Sequence, residues 1–231
     1  MRRKQALTPL LGREFMEMRS FGDLSGPFIP PARSGQASSL IILLHGWGAD
    51  GNDLADLAYP ISVRFPGAAF FVPNGLTPCK MNPAGREWFD IDDRVNGPVA
   101  AAPVIDAAIT AALAGLNLSA SALALAGFSQ GGMMSLHCGL RHAEPPAAIV
   151  SFSGALLRDD DLADGVSYPP VLLVHGTDDQ IVPFALQSAS YDVMQSRSII
   201  VETVACDGLG HGIDPDGLSA AIAFLAKYLP A

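Results

Sequence analysis

Ser129 is placed to act as a nucleophile. It sits in Gly127-Phe128-Ser129-Gln130-Gly131, which follows the apolar run Ala122 to Ala126 and opens a helix-like stretch reaching His142. A serine between two glycines, where a strand turns sharply into a helix, is held in a strained conformation with its hydroxyl exposed at the strand's carboxyl end. A Cβ at 127 or 131 would strike the adjoining strand or helix, so glycine is required at both. In a chain with 23 glycines the five-residue pattern also arises by chance. The strand before it and the helix after it make it specific.

A serine hydroxyl is a poor nucleophile at neutral pH. It needs a base within hydrogen-bond reach, and the base needs an acid to fix its tautomer. Four histidines follow Ser129 in the chain. His137 and His142 fall on the helix after the turn, pointing away from the strand ends. His175 directly follows an apolar strand, in His175-Gly176-Thr177-Asp178-Asp179, and reads as structural. His211 lies in the glycine-rich loop Gly208-Leu209-Gly210-His211-Gly212 after the last expected strand, from where it can reach back over the sheet. For the acid, Asp178 and Asp179 both follow the strand Val171–Val174, and local chemistry does not separate them. Asp159-Asp160-Asp161 is a solvated surface run.

The developing oxyanion needs preorganised N–H donors. One is the backbone N–H of Gln130, at a helix N-terminus. The second is expected from the loop His45-Gly46-Trp47-Gly48, whose glycines let the backbone approach a substrate. No H-E-x-x-H and no cluster with metal-ligand spacing occurs, so no metal is expected.

These groups must be carried by an alternating scaffold. Leu40–Leu44 is a continuous apolar strand of the kind buried on both faces of a parallel sheet. Asn52 and Asp53 start a helix spaced by Leu54, Leu57, Ala58 and Ile61. Further strands are expected at 68–72, 147–152 and 199–204, and helices at 103–116, 184–195 and 216–228. Residues 74–98 form a long loop. This alternation predicts a doubly wound, mostly parallel sheet with helices on both faces. Residues 1–37, with Pro27, Pro30, Pro31 and Gly35, read as a peripheral N-terminal extension with one or two edge strands, ahead of a catalytic domain at 38–231.

The totals narrow the function classes. With 14 Lys and Arg against 23 Asp and Glu, the net charge is −9, and no basic stripe is present, which excludes nucleic acid as a partner. Cys79, Cys138 and Cys206 are odd in number and widely spaced, a pattern of reduced packing thiols that points to the cytoplasm. The basic start at Arg2-Arg3-Lys4 is followed by a short apolar patch broken by Pro9, so no signal peptide is expected there. No stretch approaches the ~20 apolar residues of a bilayer span, so stable membrane insertion is not expected.

Taken together, these residues resemble the phospholipase/carboxylesterase branch of the α/β-hydrolases, which includes the acyl-protein thioesterases. The resemblance covers about residues 38–230. It rests on His45-Gly46-Trp47-Gly48-Ala49-Asp50, Trp88-Phe89-Asp90, Gly127-Phe128-Ser129-Gln130-Gly131-Gly132, the segment His175 to Pro183, and Gly208-Leu209-Gly210-His211. It implies an α/β-hydrolase fold and serine hydrolysis of carboxylic esters without a cofactor. In the family's pattern the acid stands four residues after the histidine, which is Asp179, and the oxyanion donors are the N–H groups of Trp47 and Gln130. Trp47 replaces what is often a smaller aliphatic residue.

The expected function is a serine carboxylesterase for short- to medium-chain esters, working through an acyl-enzyme with Ser129, His211 and Asp179. An acyl-protein thioesterase or lysophospholipase is the alternative within hydrolases, and a non-catalytic binding module the alternative outside them. Leu76, Met81, Trp88 and Phe89 of the long loop are expected to wall the acyl pocket. The expected partner is a small-molecule ester or thioester, and a homodimer is left open.

Overall fold

The computed structural model describes residues 16–33 and 35–230. In chain order the elements are β1 (Glu17–Phe21), β2 (Leu24–Ile29), β3 (Ser39–Leu44), α1 (Gly51–Ala55), α2 (Ala58–Arg64), β4 (Ala68–Phe71) and the small hairpin strands β5 (Thr77–Pro78) and β6 (Arg86–Glu87). They continue with α3 (Gly97–Leu116), β7 (Leu123–Phe128), α4 (Gln130–Gly139), β8 (Ala148–Phe152), β9 (Val171–Gly176), α5 (Ala185–Ser196), β10 (Val201–Cys206) and α6 (Pro215–Leu225). Eight strands make one sheet in the order β1-β2-β4-β3-β7-β8-β9-β10. From β4 to β10 every pairing is parallel, while β2 runs antiparallel to both β1 and β4.

β3 shows why the sheet is doubly wound. Its side chains alternate between faces with period two. Leu40, Ile42 and Leu44 join the core under α3 and α4, with Ile105, Ile109 and Met133. Ile41 and Leu43 join the opposite core under α1, α2 and α6, with Leu54, Ile61 and Phe224. A strand buried on both sides has no polar face, which is how the continuous run of leucine and isoleucine was recognisable.

Four expectations about the scaffold are corrected. The boundary at residue 37 cuts through the sheet. β2 is an interior strand whose Leu24, Phe28 and Ile29 are buried, because Phe28 and Ile29 pair with Phe71 and Phe70 of β4. The prolines that suggested a periphery are tolerated because β2 makes only two ladder pairs with β4. The rest of that extension, residues 1–15, together with the signal-peptide reading made on it, lies outside the described residues.

The helix expected from Pro103 starts at Gly97, with Pro98 in its first turn and Pro103 inside it. At twenty residues, α3 is long and apolar enough to cross a membrane by length and composition, against the expectation that no stretch reaches that size. Its Ile105, Ala108, Ile109, Ala112 and Leu113 nevertheless pack into the sheet's core. The expected single helix from Asn52 to Ile61 is two short ones, with Asp50 capping the first through a reciprocal capping box with Asp53.

His137 carries an acid-lability consequence. It is buried on α4, its Nδ1 has no partner among the described residues, and burial together with the Arg141 charge lowers its pKa from 6.5 to about 4. Above 6.5 both folded and unfolded chains hold it neutral. As the pH falls below 6.5, the unfolded chain takes up a proton that the folded chain refuses, until about pH 4. Stability is therefore expected to fall by about 3 kcal/mol across that window. Denaturant titrations at several pH values should show this slope, and His137→Gln should flatten it. An equal slope in the variant would rule the assignment out.

Candidate active site

The parallel strands deliver four loops to one edge of the sheet, after Leu44, Phe128, Gly176 and Cys206. At the second of these, Ser129 has φ 55° and ψ −118°, and α4 begins at Gln130. The flanking glycines are sterically forced. A Cβ on Gly127 would stand 2.3 Å from the carbonyl oxygen of Gly131, and one on Gly131 would stand 1.9 Å from that of Leu44. Positive φ costs a non-glycine residue about 1–3 kcal/mol. The turn is held against that cost by the Ser129 N–H bond to the Phe152 carbonyl (2.8 Å) and by the Met133 N–H bond to the Ser129 carbonyl (3.0 Å).

Residues far apart in sequence meet at this hydroxyl. His211 Nε2 lies 2.9 Å from Ser129 Oγ, and His211 Nδ1 lies 2.7 Å from Asp179 Oδ2. The His211 ring leans on Phe128 at 4.7 Å between centroids. Asp179 Oδ1 accepts the N–H groups of Ile181 and Val182, both at 2.9 Å. Burial pushes the Asp179 carboxyl upward. The His211 hydrogen bond and the two backbone N–H groups outweigh it and hold the group below the usual carboxylate value of 3.8. Asp178, its neighbour, is exposed and its N–H is tied to the Leu209 carbonyl (2.9 Å). An ionised Asp179 fixes the proton on Nδ1, leaving Nε2 free to take the proton of the serine.

His175 is buried within β9 rather than just beyond it. Its Nε2 donates to the Val182 carbonyl (2.8 Å) and lies 3.3 Å from Asp179 Oδ2, so it braces the acid's turn. The carboxyl end of β9 also seats the histidine loop. A Cβ on Gly176 would lie 2.2 Å from the Leu209 carbonyl oxygen and 2.4 Å from that of Gly210. Gly176→Ala must push the loop back by about 1 Å, and misplacements of that size cost about 10² in rate. The expected result is a comparable loss in kcat, measured on a chromogenic ester. Wild-type turnover in this variant would show that the loop adjusts freely.

The loop expected to supply the second oxyanion donor follows β3. The N–H of Gln130 is the first of α4 and so has no intrahelical acceptor. The N–H of Trp47 makes no hydrogen bond among the described residues. Buried groups hold this loop from below. His45 is fully buried, with Nδ1 donating to the Gly46 carbonyl and Nε2 accepting from the Gly75 N–H, both at 2.8 Å. Burial lowers its pKa below 6.5, which keeps the ring neutral and Nε2 an acceptor.

Here the expected pocket wall is corrected. Trp88 is buried, with its indole N–H donating to the His45 carbonyl (2.8 Å) and its backbone N–H to Gln130 Oε1 (2.9 Å). Gln130 Nε2 donates in turn to the carbonyl of buried Phe89 (2.8 Å). Leu76 lines a separate hollow with Leu24 and Val104, and Met81 is 78% exposed. None of the four faces the serine. The loop's task is to clamp: Trp47 Nε1 donates to Glu87 Oε2 (2.7 Å), and the Gly48 N–H to the Arg86 carbonyl (2.9 Å). The cleft beside Ser129 is lined instead by Ile91, Arg94, Met133, Val182 and Leu186. Their sequence signal was faint, since Ile91 and Arg94 lie beyond the aromatic pair, while Met133 and Leu186 read as ordinary helix residues.

The comparisons with known proteins bear on the family and the fold. A family profile described as Phospholipase/Carboxylesterase matches residues 28–229. The crystal structure of esterase PE8 superposes with a TM-score of 0.85 at 40% identity, covering 89% of this chain and 99% of its own. Esterase YpfH of Escherichia coli is 27% identical over 210 residues, 88% of each chain. Acyl-protein thioesterase 1 homolog 1 of Dictyostelium discoideum is 26% identical over 207 residues, 84% of this chain and 92% of its own. The chain belongs to the phospholipase/carboxylesterase family and is a serine hydrolase of the α/β-hydrolase fold.

Proposed function

We propose that this protein is a carboxylesterase that cleaves short- to medium-chain carboxylic esters through an acyl-enzyme on Ser129. The observation that carries the reading is the unbroken chain from Ser129 Oγ through His211 to Asp179, with bonds of 2.9 and 2.7 Å. His211 Nε2 takes the hydroxyl proton as Oγ bonds to the ester carbonyl carbon. Negative charge on the carbonyl oxygen is held by the N–H groups of Trp47 and Gln130. The carbon–oxygen bond to the alcohol breaks, and the alcohol takes its proton from His211. Water, deprotonated by the same ring, attacks the acyl carbon, and Oγ recovers the proton as the acid leaves. Asp179 stays ionised and balances the imidazolium in both halves.

The cleft beside Ser129 has a volume of about 310 Å³. That is the low end of the ~300–1,000 Å³ typical of ligand pockets, which favours modest acyl chains. A second reading, thioester cleavage, is supported by the relatives named acyl-protein thioesterases. A fluorophosphonate probe should label Ser129, located by peptide mass spectrometry. Ester turnover should peak at short to medium acyl length on p-nitrophenyl esters. A preference of orders of magnitude for palmitoyl thioesters would favour the second reading, and an unlabelled Ser129 would leave only a binding role.

A further inference from the structure

Two cavities open on the catalytic histidine. The first, about 310 Å³, contains Ser129 and the oxyanion residues Trp47 and Gln130. The second, about 340 Å³, is also lined by His211 and is walled by Leu54, Leu57, Phe128, Gly212 and Ile213. Gly46, Ala49, Phe128 and His211 line both, so the two cavities adjoin along these four residues, which form the partition between them.

The reaction itself orients an ester across this partition. The carbonyl oxygen must face Trp47 and Gln130, and the acyl carbon must touch Ser129, which places the acyl chain in the first cavity. The leaving oxygen receives its proton from His211, so the departing group must stand on the histidine's side. We infer that the second cavity is the leaving-group subsite and that it selects esters of bulky, neutral, apolar alcohols. This rests on the esterase reading of Ser129 and His211.

The walls supply the chemistry of the choice. Leu54, Leu57, Phe128 and Ile213 offer apolar contact and no donor for a phosphate. Among the described residues, the charged side chain there is the carboxylate of Asp53, which accepts the Asp50 N–H at 2.8 Å within the α1 capping box. An anionic leaving group, such as a phosphorylated glycerol, would meet that carboxylate in a chain already at net −9. A cyclohexyl or aryl alcohol would meet hydrocarbon.

The test separates the two halves of the ester. Cyclohexyl and methyl butyrate share an acyl group, and methyl butyrate and methyl octanoate share an alcohol. In the wild type, cyclohexyl butyrate should exceed methyl butyrate in kcat/KM by about tenfold or more, the scale of apolar contact in a pocket. Leu57→Trp fills the cavity and should erase that ratio while moving the acyl-length ratio by less than about twofold. Leu186→Trp, in the first cavity, should do the reverse. Leu57→Ala, which adds no bulk to the fold, should shift the alcohol preference toward larger rings. Each protein is also scored for fluorophosphonate labelling at Ser129. Labelled enzymes whose alcohol ratio ignores both Leu57 variants, or whose acyl ratio moves instead, overturn the subsite alone. An unlabelled wild type overturns the esterase reading together with it.

Discussion

Ser129→Ala is expected to lower kcat on a p-nitrophenyl ester by about 10⁶-fold, the scale seen when the nucleophile of another serine triad is removed. No acyl-enzyme can form without Oγ, and the residual rate would come from the N–H groups of Trp47 and Gln130, proposed above to hold the oxyanion, and from binding in the cleft. The fold should survive. The substitution deletes one hydroxyl at a residue only 8% exposed, keeps the Cβ, and leaves the Ser129 backbone bonds to Phe152 and Met133 in place. Thermal denaturation should therefore stay close to wild type while turnover collapses. An acyl adduct on any residue other than Ser129, seen by mass spectrometry of a trapped intermediate, would sink the assignment.

Asp179→Asn should cost about 10⁴ in kcat, as the equivalent amide does in other triads, whereas Asp178→Asn should cost little. The geometry gives the reason. Asp179 accepts three hydrogen bonds: from Ile181 and Val182 on Oδ1 and from His211 on Oδ2. An amide keeps its oxygen toward the two backbone N–H groups and turns its NH₂ toward His211. The imidazole then has to present an acceptor at Nδ1 and its proton at Nε2, so it cannot take the serine's proton. Asp178 is exposed, and its carboxylate accepts from the Thr177 hydroxyl. Equal losses in the two variants, or a larger loss at 178, would show that the wrong carboxylate has been assigned.

The same carboxylate sets an acid limit. Its folded pKa is held below 3.8, so the stabilisation it gives is fully present above that value and is lost as the pH falls through the lower folded one.

Legibility varied with the range of the interaction. Gly127 and Gly131 declared the turn because the clashes that forbid a Cβ there come from the next turn of helix and the neighbouring strand, features any such turn must have. The order of Ser129, an aspartate and His211 along the chain pointed to three side chains that the structure brings into one hydrogen-bonded row. The split between Asp178 and Asp179 was not contained in local chemistry. The family resemblance chose Asp179, and in the structure Asp179 is the one that is buried and bonded to His211.

What the sequence determined by itself were features repeated along one element or forced within a few residues. The alternation of β3 between two cores, the glycines of the serine turn and the strand-end loops all belong to that class. What tertiary structure decided were contacts between distant segments. Trp88 is 43 residues from the His45 carbonyl that accepts a hydrogen bond from its indole N–H, and nothing near Trp88 says whether its ring faces a substrate or a buried backbone. β2 became an interior strand because Phe28 and Ile29 found β4 some forty residues away, despite the prolines around them. The cleft walls came from the loop after β6, from α4, from the loop after β9 and from the start of α5, four segments that read separately as loop and core. A hydrophobic residue looks the same in sequence whether it fills a core or faces a cleft, since both demand only that water be excluded, and docking of the elements alone separates the two.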